Sequence, residues 1–164
     1  MDNIDRAKTP RDTEITMNEL VLPNDTNLLG NLLGGTLMHW IDLAGAMAAT
    51  KHSRKTVATV AVDSIDFRHP ARKGEIVTIK AKLTWVGRTS MEVLITAYAE
   101  NPLTGVTILA NKAFFTFVAL DEEGKPSPVP PLKPETEEEK KLYCEAEQRR
   151  IERLRNKKKE EEVL

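Results

Sequence analysis

Leu22-Pro-Asn-Asp-Thr-Asn-Leu-Leu-Gly-Asn-Leu-Leu-Gly-Gly-Thr-Leu-Met-His-Trp-Ile-Asp42 decides how this chain folds. A polar loop carrying Asn27 runs into the pair Gly34-Gly35, and the glycines open a helical pattern expected over Thr36–Lys51. Leu37, Ile41, Ala44 and Ala48 recur at helical spacing, and Trp40, Leu43 and Met47 widen the stripe until the helix is apolar nearly all round. Such a helix is buried rather than laid on a surface. One carboxylate, Asp42, sits two turns inside it, and an acid costs free energy to bury unless it is paired.

Beyond this helix the pattern changes to period two. Thr56–Phe67 is rich in Val, Thr and Ile. Ile79, Ala81, Leu83 and Trp85 alternate with polar residues, as do Met91, Val93, Ile95 and Ala97, and Val106–Leu120 is the last and longest strand. The turns between them fall at Pro70–Gly74, Val86–Ser90 and Asn101–Gly105. With Glu14–Leu22 as a first strand, the order is β–α–β–β–β–β. A sheet with one apolar face must cover it, and one helix is available. The expected class is α+β: a curled antiparallel sheet wrapped round one long central helix, the hotdog shape. It occupies residues 14–125, after a loose N-terminal segment, 1–13. A stiff Pro-rich linker follows over 126–134, then a charged helical or disordered tail over 135–164.

The 164 residues suffice for one domain, and a net charge of −1 favours neither nucleic acid nor a membrane surface. No apolar run approaches the ~18–20 residues of a membrane span. A single cysteine, Cys144, rules out an intramolecular disulfide framework. The first residues lack the pattern of a secretory signal. A cytoplasmic protein is expected. No two histidines stand at metal-ligand spacing, so no metal site is expected.

Asp42 has two readings: a structural acid held by backbone or a basic partner, or a reacting group. Gly34 and Gly35 expose N–H groups at a helix start, where the dipole favours developing negative charge, as an oxyanion hole needs; close packing of the helix start is the alternative. The Asn27 amide can orient a water or a carbonyl. Arg88-Thr89-Ser90 offers a guanidinium and two hydroxyls at a turn, suited to phosphate; ordinary hairpin chemistry explains the same residues. His39 reads as structural or interfacial, and Asp63 as structural.

The segments Leu22–Asn27, Gly30–Gly35, Ile41-Asp-Leu-Ala-Gly-Ala46, Thr59–Phe67, Val86–Ser90 and Phe115–Leu120 together resemble the hotdog-fold acyl-CoA thioesterases, in the bacterial and cytosolic acyl-CoA hydrolase branch. The resemblance implies hydrolysis of acyl-CoA to a free acid and coenzyme A. Asp42 is then the catalytic carboxylate, Asn27 its assistant, and the Gly34 N–H, with Gly35 beside it, the oxyanion donor. It implies coenzyme A contacts from Arg88, Thr89 and Ser90, with charge near the phosphates from Arg68 and Lys73. Coenzyme A enters as part of the substrate, with no separate cofactor, and the sites lie between the chains of a dimer, built further into a trimer of dimers. Ala61 falls where some relatives hold water with a serine or threonine. That leaves the water to Asn27 and Asp42, with Thr59 a further candidate. A non-catalytic acyl-CoA sensor and an acyl-CoA hydratase or dehydratase are the other functions this fold admits.

Overall fold

The computed structural model describes residues 6–163 of the chain. Its central helix, α2, runs Gly34–Ser53, two residues longer at each end than the periodicity marks. Leu37, Trp40, Ile41, Ala44, Gly45, Ala48 and Ala49 form its buried stripe. Gly45 sits where the helix presses on the sheet. A Cβ there would lie 2.9 Å from both Ile95 Cδ1 and the Phe117 ring, closer than carbon atoms pack. The helix stops at Arg54, in a left-handed conformation with φ 57°, whose N–H caps Thr50 O.

Five strands form one antiparallel sheet in the order β1-β3-β4-β5-β2. They are β1 Ile15–Leu20, β2 Thr56–Phe67, β3 Ile76–Val86, β4 Ser90–Glu100 and β5 Thr107–Leu120. Alternation puts Ile79, Ala81 and Leu83 of β3, Val93 and Ile95 of β4, and Phe115 and Phe117 of β5 in the core with α2. The curled sheet wrapped on one helix is the hotdog architecture expected from the sequence. β2 stands at the edge, paired on one side to β5, and its register shifts twice, between Thr59 and Ala61 and between Val62 and Ser64.

Three segments differ from their expected roles. A short helix, α1 (Pro10–Thr13), is fixed by a capping box in which Thr9 and Asp12 exchange bonds. Lys8 pairs with Leu132, so residues 8–13 are tied down rather than loose; residues 1–5 lie outside the described ones. The stiff Pro-rich linker is packed against the domain as a strap. Val129 and Leu132 are buried, Val129 N–H donates to Arg88 O, and the buried His52 ring donates through Nε2 to Pro130 O at 2.8 Å. The charged tail forms α3, Glu137–Val163, and its first turns dock on the outer face of the sheet. Leu142 joins Leu94 and Phe114 there. Arg149 holds both oxygens of Glu92, at 3.0 and 2.8 Å, and stacks over the Phe114 ring. Arg153 pairs with Asp63. Among the described residues no helix is long and apolar enough to cross a membrane.

Candidate active site

Asp42 lies on the flank of α2 that faces the edge strand. The Thr59 hydroxyl donates to its Oδ1 at 2.7 Å. The carboxylate is half-buried, not sunk in the core as an apolar-all-round helix suggests. The reason is that one flank of α2 stays open: Met38, Leu43 and Met47 are 40–43% exposed beside it. Ala61, the position marked for a water-holding hydroxyl, lines a different cleft with Asp63 and Arg153. Of the two β2 positions the sequence reading weighs for holding the water, Ala61 and Thr59, Thr59 is the one that reaches the carboxylate.

The start of α2 is open too. The first bond of the helix runs from Leu37 N–H to Leu33 O, which leaves the preceding N–H groups without a partner inside the helix. A Cβ built at Gly34 or Gly35 meets nothing within 4 Å. Close packing within this chain therefore does not explain the glycine pair. With its side-chain space open and its first N–H groups unbonded within the helix, the helix start can take the oxygen of a ligand, as an oxyanion site does. A cleft of about 190 Å³ adjoins it, lined by Leu32, Gly34, Leu37, Phe67, Arg68 and His69 among others.

Asn27 organises the loop that leads there. Its Oδ1 accepts from Leu29 N–H at 2.9 Å and Asn31 N–H at 3.2 Å, and Gly30, at φ 76°, closes the turn. The amide oxygen is thus spent on the loop, and its NH₂ group is the part left to donate. Asn31 bridges Arg72, and Lys73 N–H bonds Gly30 O, so the Arg72–Lys73 turn is fastened to the same loop. Arg68 forms an ion pair with Asp66 at 2.7 Å, which offsets part of its charge.

Arg88, Thr89 and Ser90 sit elsewhere. Gly87 N–H bonds Ser90 O and Ala119 N–H bonds Thr89 O, fixing the turn at the opposite end of the sheet, beside the strap and the last turn of α2. A Cβ on Gly87 would meet the Trp85 ring at 2.6 Å, so a glycine is needed there. Within one chain, then, Asn27, Gly34, Gly35, Arg68 and Lys73 cluster at the start of α2. Arg88–Ser90 cluster at its end, and Asp42 with Thr59 lies between, about 12 Å along the helix from Gly34. Among the described residues no three His, Cys, Asp or Glu side chains gather as a metal-binding group.

The hotdog sheet wrapped on one helix is matched by the thioesterase superfamily model over residues 29–106. The chain belongs to the acyl-CoA thioester hydrolases of that superfamily. It is 41% identical over 154 residues to an uncharacterised acyl-CoA thioester hydrolase of Bacillus subtilis, covering 94% of this chain and 89% of that protein. A hexameric acyl-CoA thioesterase superposes with a TM-score of 0.89 at 40% identity, covering 92% of this chain and 97% of that one. An acyl-CoA hydrolase of Staphylococcus aureus, solved with butyryl coenzyme A and coenzyme A, gives 0.88 at 35% identity over 96% of each chain. That enzyme has also been solved with an aspartate, a threonine or an asparagine replaced by alanine. The chain spans 35% of the length of a mouse cytosolic acyl coenzyme A thioester hydrolase.

Proposed function

We propose that this chain hydrolyses acyl-CoA thioesters to a free acid and coenzyme A, with Asp42 as the reacting carboxylate. The observation that carries the assignment is the Thr59–Asp42 hydrogen bond on an otherwise apolar, open helix flank. A carboxylate kept half-buried and aimed by a hydroxyl is what general-base or nucleophilic work requires. The asparagine, aspartate and threonine replaced in the S. aureus enzyme have the same sequence spacings as Asn27, Asp42 and Thr59 here, which supports the same set.

The thioester oxygen rests on the Gly34 N–H, with Gly35 beside it, where charge builds up as the carbonyl is attacked. Thr59 holds one oxygen of Asp42, so the other takes a proton from water or attacks the carbonyl itself. In either route water supplies the hydroxyl of the acid, the C–S bond breaks, and the thiolate leaves with a proton. The NH₂ of Asn27 orients water or carbonyl.

The site is completed by a second copy. The ends of α2 carry different parts of it, so a twofold-related partner bringing its helix start to this chain's Asp42 unites them. The exposed Met38, Leu43 and Met47 are the surface such a partner covers. Arg88, Thr89 and Ser90 then meet the phosphates of coenzyme A, with Arg68 and Lys73 adding charge. Dimers assemble in threes, in keeping with the hexameric neighbour. The catalytic unit is residues 14–125, acting in the cytoplasm with no separate cofactor.

Free-thiol release from acetyl- to palmitoyl-CoA, run beside Asp42→Asn, tests this. Turnover by the wild type and a loss of about 10²–10⁴-fold in the variant are expected. Equal turnover in both proteins removes Asp42 from the chemistry, and coenzyme A binding without any turnover makes the chain a sensor.

A further inference from the structure

Asn111 is 0% exposed, and neither its Oδ1 nor its Nδ2 has a hydrogen-bond partner. A carboxamide carries two donors and an acceptor, and burying them unpaired costs free energy that an apolar side chain of the same shape would not. A partner absent from the chain itself is therefore called for.

Its place in the sheet shows what lies near. On β5, Asn111 stands opposite Phe67 of β2 on one side and Ala97 of β4 on the other. Directly opposed residues of antiparallel strands put their side chains on one face, about 5 Å apart. Phe67 lines the cleft that opens at Gly34, and Ala97 belongs to the core beneath α2. The carboxamide thus lies on the concave face, one strand in from that cleft.

On β4 and β5 this part of the concave face carries Ala97, Ala99, Ala110 and Ala113, next to Val77 and Ile79 of β3, whereas Met91, Phe115 and Phe117 lie toward the other end. The β4–β5 register slips here, between Ala97 and Tyr98. Arg68 and His69, at the mouth of the cleft, both donate their N–H groups to Ala110 O, next to Asn111. Register slips of this kind re-aim side chains beside binding sites.

We propose that Asn111 is a specificity residue for the acyl group, selecting acyl-CoA substrates that carry an oxygen on the acyl chain, as hydroxyl or keto group, over plain hydrocarbon acyl groups. The inference rests on the thioesterase reading above, which places the thioester carbonyl at Gly34. An acyl chain running from there along the cleft reaches Phe67, the direct cross-strand neighbour of Asn111, with only the short side chains of Ala97 and Ala110 on the strand positions beyond. A hydroxyl or keto oxygen on it pairs with the carboxamide, whereas a hydrocarbon leaves the amide unmade. A site built to hydrogen-bond a substrate oxygen discriminates strongly against the analogue that lacks it.

The test is kcat/KM for 3-hydroxybutyryl-CoA against butyryl-CoA, measured on the full chain as wild type, Asn111→Leu and Asn111→Ser. The wild type is expected to favour the hydroxylated substrate by at least about 10-fold. Asn111→Leu brings the ratio to near one, and Asn111→Ser restores part of it. A wild-type ratio near one overturns the proposal and makes a buried water the partner of the amide; because that ratio stands by itself, misfolding of the leucine variant does not leave the question open. A ratio unchanged in a folded Asn111→Leu protein overturns it equally. Hydrolysis by the wild type of neither substrate nor any acyl-CoA from acetyl to palmitoyl overturns the thioesterase reading and this proposal with it, a different result from hydrolysis without preference.

Discussion

Two side chains carry opposite kinds of information about this molecule. Thr59 is exposed and makes one bond, to Asp42. Removing its hydroxyl with Thr59→Val changes little else, so folding should be intact and kcat should fall by about 10–100-fold, the worth of one hydrogen bond to a charged group. KM for acyl-CoA should hold, and steady-state kinetics separates the two. His52 is buried without a charge partner, donating from Nε2 to Pro130 O while Nδ1 has no partner. Burial pushes its pKa below the ordinary histidine value, with the nearby Lys8 adding to the effect. The unfolded chain therefore takes up a proton near pH 6.5 that the folded chain refuses. Stability from this residue is whole above that pH and is lost as pH falls toward the lower folded value, at a slope of at most about 1.4 kcal/mol per pH unit. Urea midpoints at pH 7.5 and 5.5 should show that loss in the wild type, and His52→Gln should lack this component of it.

At the scale of elements, α3 is the telling case. Its docking rests on Glu92, 2% exposed, which takes the Thr84 hydroxyl and both nitrogens of the Arg149 fork. Glu92→Ala strands a partly buried guanidinium. It should destabilise the domain by about 2–3 kcal/mol, somewhat below a fully buried pair because Arg149 keeps some solvent. Trypsin should then cut within Glu137–Arg153 faster than in the wild type. The sequence reading made α2 and the five strands legible because their signals are periodic and local. It read this segment as a charged helical or disordered tail and did not place it on the sheet, because the apolar part of the contact is confined to Leu142 with Leu94 and Phe114, and no spacing rule links Arg149 to Glu92 or Arg153 to Asp63 across the chain. The strap's position was missed for a related reason: proline content reports stiffness, not where a stiff segment lies. For the site, residue types and spacing singled out Asn27, Gly34 and Asp42. The Thr59 contact depends on how β2 shifts register beside α2, which alternation alone does not reveal.

On the scale of the whole molecule, the uncovered flank of α2 matters most. In the proposed dimer, the copy that covers Met38, Leu43 and Met47 would also shield Asp42 from bulk water. A charge placed there should undo both assembly and catalysis. Leu43→Lys is expected to shift the protein to smaller species in light scattering after gel filtration and to lower turnover in parallel, while the circular dichroism of the fold persists. Retained assembly in that variant would move the interface elsewhere. The bond between the two ends of the domain has a separate consequence. Lys8 runs beside Leu132, with Lys8 N–H on Pro131 O and Lys133 N–H on Lys8 O. The stretch that leads into β1 and the stretch that follows β5 thus run side by side, like the two leads of a plug, before α3 turns back over the sheet. A unit wired this way can be set into a longer polypeptide, or repeated in tandem, without its insertion pulling the sheet apart.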